Sequence, residues 1–132
     1  AIGNLCNKLG TGIYVAEVSK GFLSPSMVPF VVFIISCFIA FSTGTSWGTF
    51  AIMIPIAVPM SEAFDTNIHM AIAAALGGGV FGDHCSPVSD TSIISSLASA
   101  SDHIDHVKTQ LPYALITGSI TALIYLVLGF IG

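Results

Sequence analysis

Long apolar runs dominate this chain, and polar residues interrupt them from within as well as separating them. In residues 1–24, Ile2, Leu5, Leu9, Ile13 and Ala16 recur at spacings of three and four, while Asn4, Asn7, Lys8, Glu17 and Lys20 fall elsewhere. That spacing predicts an amphipathic packing or interfacial helix, broken near Gly10–Thr11–Gly12 and too polar to span a bilayer alone. Residues 28–60 form a first unit: an apolar arm from Val28 to Phe41, a hydroxyl- and glycine-rich string from Ser42 to Thr49, and a second apolar arm carrying Pro55 and Pro59. As one helix this unit would measure about 50 Å, well beyond a hydrocarbon core of about 30 Å. It therefore reads as a re-entrant hairpin or a crossing broken in the middle.

Residues 67–100 repeat the plan with an apolar arm from Ile68 to Phe81, a break over Gly82 to Pro87, and a small-residue arm from Val88 to Ala100. Polar connections flank this second unit: Ser61 to Asn67, with Glu62 and Asp65, and Ser101 to Gln110, which reads as a short water-facing helix with Ile104 and Val107 on one side. Residues 111–132 read as an uncomplicated transmembrane helix of about 31 Å. Tyr113 would sit at an interface, and Ala114, Gly118, Ser119 and Ala122 offer a small-residue packing face. The expected fold is all-α: a polytopic membrane-protein fragment with two discontinuous helix units and a C-terminal transmembrane helix. If Lys20 and Lys108 both mark the cytoplasmic side, an even number of crossings separates them and the two units share a topology.

Composition makes the bilayer the solvent. Hydrophobic residues are 54% and charged residues 8%, where a soluble domain carries about 25% charged residues. A net charge of -4, with three lysines and no arginine, gives no case for a nucleic-acid partner. Cys6, Cys37 and Cys85 form no CxxC pair, which argues against a disulfide framework. The start of the chain shows no basic region and cleavage site, so no signal peptide is read there.

Against that background the two acids of the second break, Asp83 and Asp90, stand out. A carboxylate at bilayer depth costs about 2.5 to 3.5 kcal/mol, so its default reading is functional. Sodium is a hard cation that seeks oxygen. The breaks offer Asp83 and Asp90, the hydroxyls of Ser86, Ser89, Thr91, Thr43, Thr45 and Ser46, and carbonyls freed by Gly44, Gly48, Gly82 and Pro87. Burial penalises a bare carboxylate charge, and a proton or a cation relieves it, so the two would compete for one site. His84 is a candidate proton relay. The plainer readings are a helix cap for either acid, a backbone-satisfied His84, a packing or interface role for Trp47, and hydroxyls that only satisfy broken-helix backbone. A zinc-binding membrane protein is a separate alternative, drawing on His84, Cys85, His103 and His106, although no HExxH-like base accompanies them.

The strings FSTGTSWGTFAIMIPIAVPM (Phe41 to Met60) and GGGVFGDHCSPVSDTSIISSLASASDHIDHVKTQLPYAL (Gly77 to Leu115) resemble the C-terminal part of the NhaC-type sodium/proton antiporters, within the ion-transporter superfamily. The resemblance implies a multi-pass protein of the bacterial inner membrane that exchanges sodium for protons without a cofactor, sodium being substrate. Some relatives couple exchange to organic anions or amino acids instead. It also implies that this chain is the C-terminal part of a transporter, partnered by an N-terminal half, the lipid bilayer and, in some assemblies, further copies of itself.

Overall fold

The computed structural model describes residues 2–132, with side-chain surroundings from Asn4 onward; Ala1 and the side chain of Ile2 lie outside the described residues. The described residues are helical throughout, joined by short connections. Helix α1 (Ile2–Lys8) and helix α2 (Thr11–Ser19) are separated by Gly10, whose φ of 65° is left-handed. Of the expected apolar stripe, Ala16 is buried together with Gly12, whereas Leu5, Leu9 and Ile13 are exposed. The reason lies in the next helices. Pro59 has no N–H to give the Pro55 carbonyl, and Gly12 is the residue laid against that carbonyl and the Pro59 ring. A side chain at Gly12 would hold the two backbones apart.

A 3-10 turn (Pro25–Met27) leads into α3 (Val28–Thr43), which ends at Gly44 with φ 66° and its N–H on the Ala40 carbonyl. Thr45 is extended, and its hydroxyl oxygen accepts the Gly48 N–H at 3.4 Å to start α4 (Ser46–Ala63). Helix α4 runs through Pro55, Pro59, Ser61 and Glu62, so the polar connection expected from Ser61 shrinks to residues 64–67. The Asn67 side chain caps α5 (Ile68–Cys85) by accepting the His69 and Met70 N–H groups. The chain leaves the helix over residues 86–89, then forms the short α6 (Asp90–Ala98).

Helix α7 (His103–Ile131) corrects the reading of residues 101–110 as a separate helix. The Asp102 side chain accepts the Ile104 and Asp105 N–H groups, so the helix begins at once and carries on past Pro112 at the loss of one backbone bond. Gly118 and Ala122 are buried on the expected small-residue face, with the Phe81 ring lying where a Gly118 side chain would go. Hydroxyls on apolar helices bond their own backbone four residues back, as Ser36 does to Val32 and Thr117 to Tyr113.

Neighbouring contacts fix the directions. Gly78 lies against Phe33 and Ser36, Gly82 against Cys37 and Ala40, and Gly44 against Val88, so α3 and α5 run parallel with their C-terminal ends together. Gly79 meets Phe50 and Thr49 near the start of α4, so α4 returns antiparallel to α5, and α3–α4 is a hairpin turning at Gly44–Thr45. Gly118 meets Phe81, Gly77 meets Tyr125 and Gly132 meets Met70, making α7 antiparallel to α5. Lys20 and Lys108 therefore lie at opposite ends, against the equal-topology expectation. The cause is length: α4 is long enough to return across the fold, whereas the nine residues of α6 reach only about 13 Å. The stretches Pro25–Thr43 and His103–Ile131 are long and apolar enough to cross a bilayer.

Candidate functional site

The interruption after α3 and the interruption after α5 touch. Glycines at 78 and 82, one turn apart, let α5 press directly on the α3 backbone. Gly44 continues the seam: a Cβ there would stand 2.8 Å from the Val88 carbonyl oxygen, and the left-handed φ already excludes most side chains. Ser86 closes the junction by donating its hydroxyl to the Phe41 carbonyl at 2.7 Å, while its oxygen accepts the Val88 N–H at 3.3 Å. Phe41 lies in the last turn of α3, where carbonyls lack intrahelical donors, so Ser86 from the other break supplies one.

Asp83 sits in the last turn of α5 at this junction, only 5% exposed. Its Oδ1 accepts the Ser89 hydroxyl at 2.7 Å, and Ser89 in turn stands 2.7 Å from the Thr91 hydroxyl. Among the described residues no donor bonds Oδ2, and that oxygen is not sealed from its surroundings. The C-terminal ends of α3 and α5, where partial negative charge of about half an elementary charge each collects, converge here with the carboxylate. The N-terminal ends of α4 and α6 lie just beyond the two turns.

The structure separates the expected site residues. Asp83, Ser86 and Ser89 are buried together. Asp90 is exposed, its carboxylate accepting the Thr91 N–H at 2.8 Å, and no hydrogen bond joins it to Asp83 among the described residues. That is the helix-start role weighed as the plainer reading for either acid. Thr43 is exposed and donates to Ile39, Thr45 caps α4, and Ser46 is half-buried in the first turn of that helix. Trp47 is exposed at the same end, its ring edge-on to Phe50.

The histidines are used differently from the zinc alternative. A carbonyl only accepts, so His84 donates through Nδ1 to Val80 at 3.0 Å, and His103 donates through Nε2 to Pro87 at 2.7 Å. The other ring nitrogen of His103 lies 3.2 Å from the Ser96 hydroxyl, so this imidazole straps the start of α7 to α6 and to the break after α5. Cys85 is buried on the opposite side, lining an apolar cleft of about 650 Å³ between α3, α5 and α7. Among the described residues no three His, Cys, Asp or Glu side chains gather as a metal site. A second cavity, of about 150 Å³, is polar and is lined by His84, Thr91, Ser92, Ser95, His106 and Gln110.

Sequence reasoning missed Gly78, Gly82 and His103 as the parts that hold this junction. The first two carried a signal, a four-residue spacing of glycines within an apolar arm. His103 carried none, because its partner Pro87 lies sixteen residues away across α6.

The comparisons agree with the membrane reading. Residues 1–130 match the Na+/H+ antiporter family. An uncharacterised protein of Haemophilus influenzae is 44% identical over 98% of this chain and 25% of its own length. The malate-2H+/Na+-lactate antiporter of Bacillus subtilis is 32% identical over 83% of the chain and 23% of its own length. The arginine/ornithine antiporter of Halobacterium salinarum is 31% identical over 91% of the chain and 25% of its own length. The chain thus spans about a quarter of the curated relatives it matches. No solved structure matches it. On the extent of these matches, the chain is a membrane protein and belongs to the Na+/H+ antiporter family.

Proposed function

We propose that this chain carries the ion site of a sodium/proton antiporter, and that Asp83 is the group for which sodium and the proton compete. The carrying observation is the junction itself. Two parallel helices end side by side, and beside their junction the last turn of α5 carries a buried carboxylate, Asp83, held by Ser89 at the start of α6. A buried carboxylate with an oxygen free of donors, close to carbonyls that have left their helices, favours a cation there, although the N-terminal ends of α4 and α6 lie nearby and offset part of that negative potential. Asp83 with Ser86 and Ser89 is the nucleus of that site, and the carbonyl ends of α3 and α5 supply further oxygen. Asp90, Thr43, Thr45 and Ser46 lie outside it in this arrangement and serve the helix ends.

The breaks at Gly44–Thr45 and residues 86–89 then act as discontinuities within the membrane, with irregular backbone tolerated because each break is packed against the other. The chain works as part of a longer, multi-pass transporter of the bacterial inner membrane, with the remaining helices supplying the second wall of the site. Alternating exposure of Asp83 to the two sides completes exchange: sodium displaces the proton on one side, and a proton displaces sodium on the other. A second reading, sodium-coupled exchange of organic anions or amino acids, is favoured by the names of the Bacillus and Halobacterium relatives.

Competition has a kinetic signature. In vesicles carrying the complete transporter, the KM for sodium should rise as the pH on the sodium side falls, while the maximal rate at saturating sodium stays constant. A maximal rate that falls at constant KM would place the proton and the sodium at separate sites.

A further inference from the structure

Asp83 is buried and its Oδ1 faces the Ser89 hydroxyl, so a proton bound for that oxygen arrives through Ser89. Ser89 has a single hydroxyl hydrogen, and that hydrogen is given to Asp83 Oδ1 at 2.7 Å. Its 2.7 Å contact with Thr91 therefore has Thr91 as donor. The result is a directed chain, Thr91 to Ser89 to Asp83, aimed at the carboxylate. Its inner end is buried and its outer end is not: Ser89 is fully buried, Thr91 is exposed, and Thr91 lines the polar cavity between α5, α6 and α7. That cavity, at about 150 Å³, has room for several waters. Its other lining groups, His84, His106, Gln110, Ser92 and Ser95, are all of types that can hydrogen-bond to water.

We infer that the hydroxyls of Ser89 and Thr91 conduct the proton between Asp83 and water in the cavity at the α5–α6–α7 junction. The inference rests on the reading of Asp83 as the competing group. In the loading step a cavity water that has taken up a proton from bulk solution gives it to Thr91 Oγ1 and returns to neutral water, as Thr91 passes its own proton to Ser89 Oγ and Ser89 passes its own to Asp83 Oδ1. One proton enters and one carboxylate is neutralised, while both hydroxyls keep their composition. The chain then points outward, with the protonated Asp83 donating to Ser89. These two senses of one hydrogen-bonded chain match the two states an antiporter must alternate between. Thr91 is thus a conducting residue one link removed from the ion and not one of its ligands.

The test separates proton movement from sodium movement. In proteoliposomes carrying the complete transporter, Thr91→Val keeps the shape of the side chain and removes its hydroxyl. It should slow sodium/proton exchange about tenfold or more, in keeping with the weight of a positioned proton transfer, while sodium/sodium exchange measured with radioactive sodium keeps its wild-type rate. Thr91→Ser, which restores a hydroxyl, should recover sodium/proton exchange. Wild type should also show a solvent deuterium isotope effect on sodium/proton exchange that is absent from sodium/sodium exchange. Equal loss of both exchanges in Thr91→Val, or no loss of either, overturns the inference. Asp83→Asn is the control on the underlying reading: if it leaves both exchanges intact, Asp83 is not the competing group, whatever Thr91→Val does.

Discussion

Gly82→Ala is expected to disable the transporter by prising the two breaks apart. A Cβ at this position would collide with the Cys37 carbonyl oxygen, with the Ala40 side chain and the Phe41 N–H next in line. Backbone cannot swing aside as a side-chain tip can, so α5 must move off α3. Overpacking of this kind costs about 1–3 kcal/mol. The functional loss should exceed that, because the same movement stretches the 2.7 Å Ser86–Phe41 bond and displaces Asp83, which is the next residue. Gly77→Ala is the matched control, since its Cβ would stand 3.4 Å from the Tyr125 hydroxyl, the movable end of a side chain. Thermal unfolding of the purified transporter in detergent should show a clear fall in melting temperature for Gly82→Ala and little for Gly77→Ala. Equal effects would mean that the α3–α5 seam tolerates expansion.

Asp83→Asn should abolish sodium/proton exchange, and Asp90→Asn should leave most of it. The two acids are seven residues apart in sequence, but their surroundings differ completely. Asp83 is buried in the last turn of α5 with Ser89 on one oxygen, whereas Asp90 is exposed and bonded to its own helix. Asparagine keeps the size of Asp83 and can still accept from Ser89, so the fold should survive. It cannot gain and lose a proton or neutralise a cation, so the exchange cycle should stop. Loss of the Asp90 carboxylate removes a helix-start interaction worth about 1 kcal/mol and no charge from the site. Sodium-dependent proton flux in vesicles distinguishes the two. If Asp90→Asn stops transport and Asp83→Asn does not, the ion site lies on the exposed side of α6.

Much of this arrangement was legible in residues that act locally. Gly44, Asn67 and Asp102 stop or start helices through local preferences that are present in the sequence itself, whereas the second break, expected over Gly82 to Pro87, lies at residues 86–89 because Gly82 to Cys85 stay helical. The small-residue face at Gly118 and Ala122 was equally readable, since a helical spacing specifies which residues line up. What escaped depends on distance along the chain. Ser86 meets a carbonyl forty-five residues away, and nothing near Ser86 names that partner. Of the N-terminal apolar stripe, Ala16 packs, beside Gly12, while Leu5, Leu9 and Ile13 stay exposed, since in lipid an apolar face need not be the packed one. Asp83 and Asp90 look alike in the sequence because neighbouring hydrophobicity does not tell their surroundings apart, which differ: Asp83 is buried and Asp90, the first residue of α6, is exposed.

Counting protons released on sodium binding tests the competition at Asp83 most directly. Calorimetric titration of the complete transporter with sodium chloride, in two buffers of different ionisation enthalpy, gives that count without requiring transport. Competition at one buried carboxylate calls for release approaching about one proton per sodium bound in wild type under acidic conditions, and for no release from Asp83→Asn. Sodium binding in wild type with no proton released at any pH would contradict it.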